Sequence, residues 1–201
     1  MKKGSLAYEI VMTALVLVII AGVAGALLGF VHHFAAVDPE ELLAQKMGAV
    51  YDGEVKKLPV QEGISQLVEY EGGDVLGVYV PKDDSVDGVY VLHVMGTGAY
   101  KGKLELLVNV TDGKIVKIAK YSEDETRGVG SKALEDSYFS QFYGVRITPD
   151  FNGYKLLKTA PSEESEVHAV SGATKTSTAV TNAVNAVVTW YKNTVLQGGA
   201  R

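Results

Sequence analysis

A run of hydroxyl-bearing side chains late in the sequence has the residue types and spacing to hold a phosphate group. It reads Ser171-Gly172-Ala173-Thr174-Lys175-Thr176. A stretch with helical periodicity follows, and the start of a helix presents unpaired N–H groups and a positive dipole end. A phosphate attached to Thr176, in the first turn, is therefore electrostatically favoured. The simpler interpretation is that Ser171 or Thr174 caps the helix and the glycine makes the turn before it. The two interpretations are compatible.

The neighbouring side chains suit the same chemistry. Gly172 and Ala173 are small enough for a phosphate and an attached chain to lie close to the backbone, and Lys175 places a positive charge nearby. Thr176 then acts as an acceptor, not as a catalyst. The histidines add no metal site, because His93 and His168 lack the spacing that ligands on one element require.

Hydrophobic periodicity predicts the elements that position this run. Short β-rich segments cover residues 66–70, 75–80, 88–94, 104–110 and 115–120. The Asp112-Gly113 pair between the last two segments is typical of a hairpin turn. Helical spacing predicts helices over residues 132–143 and 174–195. The order of helix, strands and further helices indicates an α+β domain with an antiparallel sheet and flanking helices.

The N-terminal part has a different character. Residues 10–31 carry no charge, and at about 1.5 Å per residue their 22 positions reach roughly 33 Å, enough to cross a hydrocarbon core of about 30 Å. Lys2 and Lys3 precede this segment, so the N-terminus is expected in the cytoplasm and the remainder outside the cell membrane. The alternative is a cleaved signal peptide, whose apolar region is normally shorter.

The predicted organisation has four parts. Residues 1–9 form a cytoplasmic N-terminus, 10–31 a single transmembrane helix, 32–60 a juxtamembrane connector and 61–201 an extracytoplasmic domain. Asp38-Pro39-Glu40-Glu41 has the acceptor, proline and acidic first turn that start a helix in the connector.

Composition excludes several classes of function. The formal net charge is -5, and no cluster of positive residues offers a surface for nucleic acid. The absence of cysteine from the sequence excludes disulfides, iron–sulfur ligation by cysteine and cysteine-based zinc sites.

Residues 171–176 resemble the flavinylation motif, in which a serine or threonine precedes Gly-Ala, a second hydroxyl residue, any residue and a final serine or threonine. With the single N-terminal anchor, they make the chain similar to the G-subunit family of Rnf ion-translocating ferredoxin:NAD oxidoreductases. The C-subunit of the sodium-translocating NADH:quinone reductase is a more distant relative. The resemblance also includes residues 98–102, the hairpin at residues 112–114 and the loop at residues 125–130. Family members typically have Glu-Thr-Pro-Gly-Leu-Gly in that loop, where this sequence has Arg127 and Val129 in place of Pro and Leu.

The resemblance implies FMN joined through its phosphate to Thr176 by a flavin transferase that uses FAD. It also implies a set of residues that hold the flavin in two loops, and these are Glu125, Thr126, Gly128, Val129, Gly130 and Lys132 in the first and Ser171, Gly172, Ala173, Thr174 and Lys175 in the second. The implied function is electron transfer inside a membrane complex with other Rnf-type subunits as partners, rather than catalysis by a stand-alone enzyme.

Three alternatives remain open at this stage. One is a component of a sodium-translocating quinone reductase that corresponds to its C-subunit, and another is a tethered flavin reductase with its own acceptor. The third is an anchored, non-redox scaffold domain whose helix cap mimics the flavin motif.

Overall fold

The computed structural model describes residues 6–35, 39–58, 68–70, 72–100, 104–122 and 130–198. The chain divides into two units, Met1–Leu42 and Leu43–Arg201. In the first unit, α1 (Leu6–Ala35) is a continuous helix. Within α1, Tyr8–Val31 is long and apolar enough to cross a membrane, and its side chains are not buried by the protein. The predicted span at residues 10–31 lies inside this stretch.

The second unit is built on an antiparallel sheet, and this confirms the α+β prediction. Its strands are β1 (Val55–Lys57), β2 (Val68–Tyr70), β3 (Gly73–Pro81), β4 (Val89–Gly96), β5 (Leu104–Thr111) and β6 (Lys114–Ser122). The order is β1-β3-β4-β5-β6, and β2 pairs with the other end of β3. All of these pairings are antiparallel.

The tight turn between β5 and β6 confirms the predicted hairpin. Asp112 has a φ of 50° and Gly113 a φ of 73°, and Thr111 pairs with Lys114 across the turn. Two consecutive positive φ angles define a turn whose twist matches that of the flanking strands. The Asp-Gly pair is therefore required by the backbone at this point.

One face of the sheet packs against α4 (Thr174–Tyr191). Alternate residues of β5 point to this helix, because side chains along a strand alternate between its two faces. The helix lies very close to the sheet at Gly96, where a Cβ atom would overlap the carbonyl oxygen of Ala179. A Cβ on Gly73 would lie 2.9 Å from the carbonyl oxygen of Asn182. These two glycines let α4 cross the sheet at backbone contact distance.

The opposite face of the sheet is covered by the end of α2 (Pro39–Met47) and the segment that follows it. Met47 and Val50 pack against Tyr79, Val91 and Leu107. The buried Asn109 donates from Nδ2 to the carbonyl oxygen of Val50 over 2.8 Å. The packed unit therefore begins at Leu43, earlier than the boundary at residue 61 expected from the sequence.

The helix predicted over residues 132–143 is broken into three short pieces. A 3-10 turn (Gly130–Leu134), α3 (Asp136–Phe139) and a second 3-10 turn (Ser140–Phe142) replace it. The segment covers the edge of β6, where the N–H of Gly144 donates to Ile115 and the N–H of Ile118 donates to the Tyr143 hydroxyl. Satisfying this strand edge competes with a regular helix.

Residues between α3 and the hydroxyl run contain two strands that the sequence pattern did not predict. β7 (Lys155–Leu157) and β8 (Glu166–His168) form a separate parallel pair. Three residues are too few to show an alternating pattern, so the sequence favoured a loop. At the other end of α4, a π-helical turn (Lys192–Leu196) continues the predicted helix.

A histidine is half-enclosed on the sheet face opposite α4. His93 Nε2 lies 2.9 Å from Glu105 Oε2, and the His93 ring is 4.4 Å from the Tyr121 ring, centroid to centroid. Burial lowers the pKa of His93 and outweighs the opposing attraction of Glu105, while Lys46 and Lys57 lower it further. The fold therefore favours the neutral imidazole.

We expect the domain to lose stability as the pH falls below about 6.5, the ordinary histidine pKa, until it reaches the lowered pKa of folded His93. Because the pKa of folded His93 is lower, the unfolded chain binds more protons in this window, and stability there rises with pH. Urea unfolding at two pH values measures the loss. His93→Gln should reduce the difference between them, and an unchanged difference would assign it to other groups.

Candidate functional site

The first turn of α4 is formed differently from the capping predicted by sequence. The N-cap residue is Ala173, which makes no side-chain cap hydrogen bond, so the simpler interpretation, in which Ser171 or Thr174 caps the helix, does not hold. Gly172 makes the preceding turn with a φ of 80°. Ser177, inside the helix, accepts the N–H of Val170 on its Oγ over 3.1 Å and so ties the preceding loop to α4.

The start of α4, an 18-residue helix, carries the positive end of the helix dipole, which favours a nearby anion. Ser171, Gly172 and Lys175 are exposed beside it. A Cβ atom added to Gly172 would meet nothing within 4 Å. Glycine is needed there for its backbone angle, and the open space leaves room for a ligand.

Thr176 lies on the inner side of this turn. Its exposed fraction is 1%, whereas Lys175 beside it is exposed and Thr174 is partly exposed. Ser177 is completely buried, and its carbonyl oxygen accepts the hydroxyl of Thr181 over 2.8 Å. The predicted acceptor hydroxyl is therefore enclosed in this conformation, so a large group can reach it only when the surrounding structure opens.

An aromatic ring lies next to the same helix end. Lys175 Nζ is 5.4 Å from the centroid of the Tyr100 ring, within the distance of a cation–π contact. Tyr100 is 68% exposed, which is unusual for a residue of this size. Gly98, two residues before Tyr100, has a φ of 94° and turns the chain there. The bend thus brings an aromatic surface to the hydroxyl run.

A surface groove is lined by residues from both of the flavin loops that were predicted from the sequence. Lys132, in the 3-10 turn, and Ser171 both line it. The remaining lining combines polar groups and an apolar floor, namely Glu135, Ser137, Tyr138, Gln141, His168, Ala169 and Val170. Burial raises the pKa of Tyr138, so its hydroxyl stays protonated and donates to the Ser177 carbonyl oxygen over 3.4 Å.

The first of the two predicted flavin loops falls mostly outside the described residues. Glu125, Thr126, Gly128 and Val129 lie outside them, and Gly130 is buried at the start of the 3-10 turn. Among the described residues, no group of three or more His, Asp or Glu side chains is arranged to hold a metal ion.

Two side chains that hold this region were not predicted from the sequence. Gln141 contacts the backbone of His168 through both atoms of its amide, and Ser177 accepts from Val170. Ser177 directly follows the hydroxyl run, and only this position in the sequence pointed to a role at the site. Nothing in the spacing of Gln141 distinguishes it from an ordinary surface residue.

The region that contains these elements is similar to a known family. Residues 99–189 match the family model described as an FMN-binding domain, and the matched region includes Tyr100, the groove, the hydroxyl run and most of α4. The fold is also found in the crystal structure of Shewanella oneidensis NqrC. That comparison has a TM-score of 0.53 at 18% identity and covers 76% of this chain and 96% of the other.

Two curated relatives are more specific, and both are the G-subunit of a ferredoxin:NAD(+) oxidoreductase complex. The chain is 27% identical over 194 residues to that of the Na(+)-translocating complex of Acetobacterium woodii, with 89% of this chain and 90% of the relative covered. It is 37% identical over 100 residues to that of the proton-translocating complex of Clostridium ljungdahlii, where about half of each chain is covered, 49% and 51%. Residues 99–189 are thus similar to an FMN-binding domain, and 89% of the chain is similar to the G-subunit of a ferredoxin:NAD(+) oxidoreductase complex.

Proposed function

We propose that this chain is an electron-transfer subunit of a membrane-bound, Rnf-type ferredoxin:NAD oxidoreductase, with FMN covalently attached to Thr176. The observation that carries the proposal is the match of residues 99–189 to an FMN-binding domain, because this region contains both the hydroxyl run and the uncapped start of α4. The two relatives named as G-subunits support the assignment to such a complex.

The attachment is a transfer of FMN from FAD. The Thr176 hydroxyl oxygen forms a bond to the phosphorus of the FMN half, the bond from that phosphorus to the bridging oxygen breaks, and AMP leaves. The hydroxyl proton passes to a base of the flavin transferase. The protein would contribute the positive dipole end of α4 and the charge of Lys175, both of which favour a phosphodiester.

Bound FMN supplies the redox chemistry, and the protein supplies its position and electrostatic surroundings. The open space beside Gly172 and the exposed Tyr100 ring leave room for a flavin at this end of the helix. Attachment through the phosphate leaves the isoalloxazine ring free to exchange electrons. Gly130, Lys132 and the loop before them complete the proposed binding set.

The buried Thr176 adds a requirement to this proposal. Because Thr176 is only 1% exposed, the transferase must act on a conformation in which the residues that cover it move aside while the first turn of α4 stays formed. Surface segments open locally at lower free energy than the packed core, so this opening does not require the domain to unfold.

The proposed location is the cell membrane, with α1 as a single span and the flavin domain outside the cytoplasm. The apolar stretch Tyr8–Val31 supports the span, and Lys2 and Lys3 support a cytoplasmic N-terminus. A covalent link suits this side of the membrane, since FMN lost there could not be replaced from the cytoplasmic pool. The proposed partners are the other membrane subunits of the complex and a flavin transferase.

The test is the intact mass of the full chain, produced with and without a flavin transferase. Cleavage after Lys175 and Lys192 gives a peptide that begins at Thr176, and that peptide also contains the hydroxyls of Ser177 and Thr178. Fragmentation must therefore place the added FMN on the first residue. Electron-based fragmentation is preferable because it preserves phosphoester bonds.

The three possible outcomes lead to different conclusions about the function. One FMN on Thr176 supports a flavoprotein subunit and leaves its neighbours in the complex to be identified. FMN on a different hydroxyl would retain the function and move the site. An unmodified peptide, with a transferase that is active on a control substrate, would favour the anchored scaffold.

Flavin loading should also quench the fluorescence of Trp190, the single tryptophan of the sequence. Trp190 is completely buried in α4, about 21 Å along the helix axis from Thr176. Flavin absorbs light where tryptophan emits, and this distance permits energy transfer. We expect a lower emission intensity in the loaded chain than in the unloaded chain at equal concentration. Equal intensities would place the flavin farther away.

A further inference from the structure

The segment that leads from β8 into α4 is held by one side-chain amide. Gln141 Oε1 accepts the N–H of His168 over 2.7 Å, and Gln141 Nε2 donates to the carbonyl oxygen of His168 over 3.4 Å. The amide thus pairs with a peptide unit as a neighbouring strand would. It closes the outer edge of β8 at its last residue.

A second set of hydrogen bonds fixes the same segment two residues further along the chain. The N–H of Val170 donates to Ser177 Oγ over 3.1 Å, and the carbonyl oxygen of Val170 accepts the N–H of Ala173 over 2.9 Å. Ser177 is buried and adjacent to Thr176. The start of α4 is therefore connected to Gln141 through the hydrogen bond of Ser177 to Val170, the backbone from Val170 to His168 and the hydrogen bonds of His168 to Gln141.

Gln141 is itself fixed by the hydrophobic core. It lies in the second 3-10 turn between the buried Phe139 and Phe142, and the rings of Tyr138 and Phe142 are in edge contact at 5.8 Å. Gln141 Nε2 also lies 3.4 Å from the carbonyl oxygen of Tyr138. A side chain mounted on a packed core transmits the position of that core to the loop.

We propose that Gln141 is a positioning residue for flavin attachment, which sets the loop and the first turn of α4 so that Thr176 is presented in register to the transferase. The inference rests on the proposed function. Group transfer requires the acceptor oxygen and the phosphorus to be aligned, and a displacement of about 1 Å can reduce the rate about 100-fold. Gln141 touches none of the reacting atoms and acts through His168 and Val170.

The test compares attachment kinetics of detergent-solubilised full chains with a purified transferase and FAD. Gln141→Ala should lower kcat for attachment between about 10- and 100-fold. KM for the chain should change less than about twofold, because the transferase still meets the same surface. Gln141→Glu keeps an oxygen that accepts the N–H of His168 and loses the donor, so its kcat should lie between those of the wild type and Gln141→Ala.

Asn185 offers a matched control on the same fold. Its amide pairs with a backbone residue in the same manner, with Oδ1 accepting the N–H of Tyr154 over 2.7 Å and Nδ2 donating to the Tyr154 carbonyl oxygen over 3.0 Å. Both amides belong to partly buried residues. Asn185→Ala should lower the unfolding temperature while its attachment kcat stays within about twofold of the wild type.

The outcomes separate this inference from the function on which it rests. A wild-type chain that takes no FMN on Thr176 contradicts the proposed function. If the wild type is loaded and Gln141→Ala is loaded at the same rate, the positioning role is wrong. An equal slowing in Asn185→Ala would show a general loss of stability and would also overturn it. Should Gln141→Ala aggregate, the attachment kcat of Gln141→Glu is compared with that of Asn185→Ala. A lower kcat in Gln141→Glu supports the positioning role, and equal values overturn it.

Discussion

Replacing Thr176 by valine is expected to abolish covalent FMN while leaving a folded chain. Valine keeps the branched shape in a site where the threonine is only 1% exposed, so the packing of the first turn is retained. Loss of one buried hydroxyl should cost about 1–2 kcal/mol of stability. Without the hydroxyl oxygen, no phosphoester can form. Intact mass should change from about one FMN per chain to none.

Thr178 provides the control for this prediction. It is also a hydroxyl residue near the start of α4, and its Oγ1 donates to the carbonyl oxygen of Thr174 over 2.9 Å. Thr178→Val should therefore lower stability by a similar amount and keep full flavin loading. If Thr176→Val retained one covalent FMN per chain, the attachment site would be a different residue. If both variants lost it, the defect would lie in folding.

Replacing Gly96 by alanine is expected to have the largest effect on stability in the domain. The added Cβ would overlap the backbone carbonyl of Ala179, and neither β4 nor α4 can move without disturbing the core between them. Overpacking against a fixed backbone should cost about 3 kcal/mol or more. For a domain of this size, that lowers the unfolding temperature by roughly 6–12 °C.

Gly144 provides a control that separates the steric cost of an added Cβ atom from the conformational cost of a positive φ angle. Gly144 has a φ of 83°, and an added Cβ would meet nothing within 4 Å. Gly144→Ala should therefore cost only about 1 kcal/mol, from the positive φ. Calorimetry of both variants measures the difference. Equal losses would mean that α4 can shift at Gly96, and the close approach would then matter less than the geometry indicates.

The distance between α4 and the sheet also matters for the proposed site. Gly96 contacts the helix at Ala179, about one turn after Thr176. An outward shift of the helix would displace its N-terminus together with the loop before it. A Gly96→Ala chain that still folds should for this reason load FMN more slowly than the Gly144→Ala control.

The sequence by itself determined the features that depend on short-range chemistry. Asp112-Gly113 specifies a turn with two positive φ angles, and the structure has that turn. The apolar run at residues 10–31 specifies a long helix, and the structure has it. The resemblance of residues 171–176 to the flavinylation motif pointed to FMN, and residues 99–189 are similar to an FMN-binding domain.

Other features were decided only by the tertiary structure, because they depend on which elements meet. Whether a hydroxyl at the start of α4 caps the helix depends on the chain before it, and here Ser177 turned back to Val170 while Ala173 took the cap position. The burial of Thr176 and the two hydrogen bonds of Gln141 arise from contacts between distant parts of the chain. Local periodicity carries no information about such contacts, since they join residues that lie far apart in the sequence.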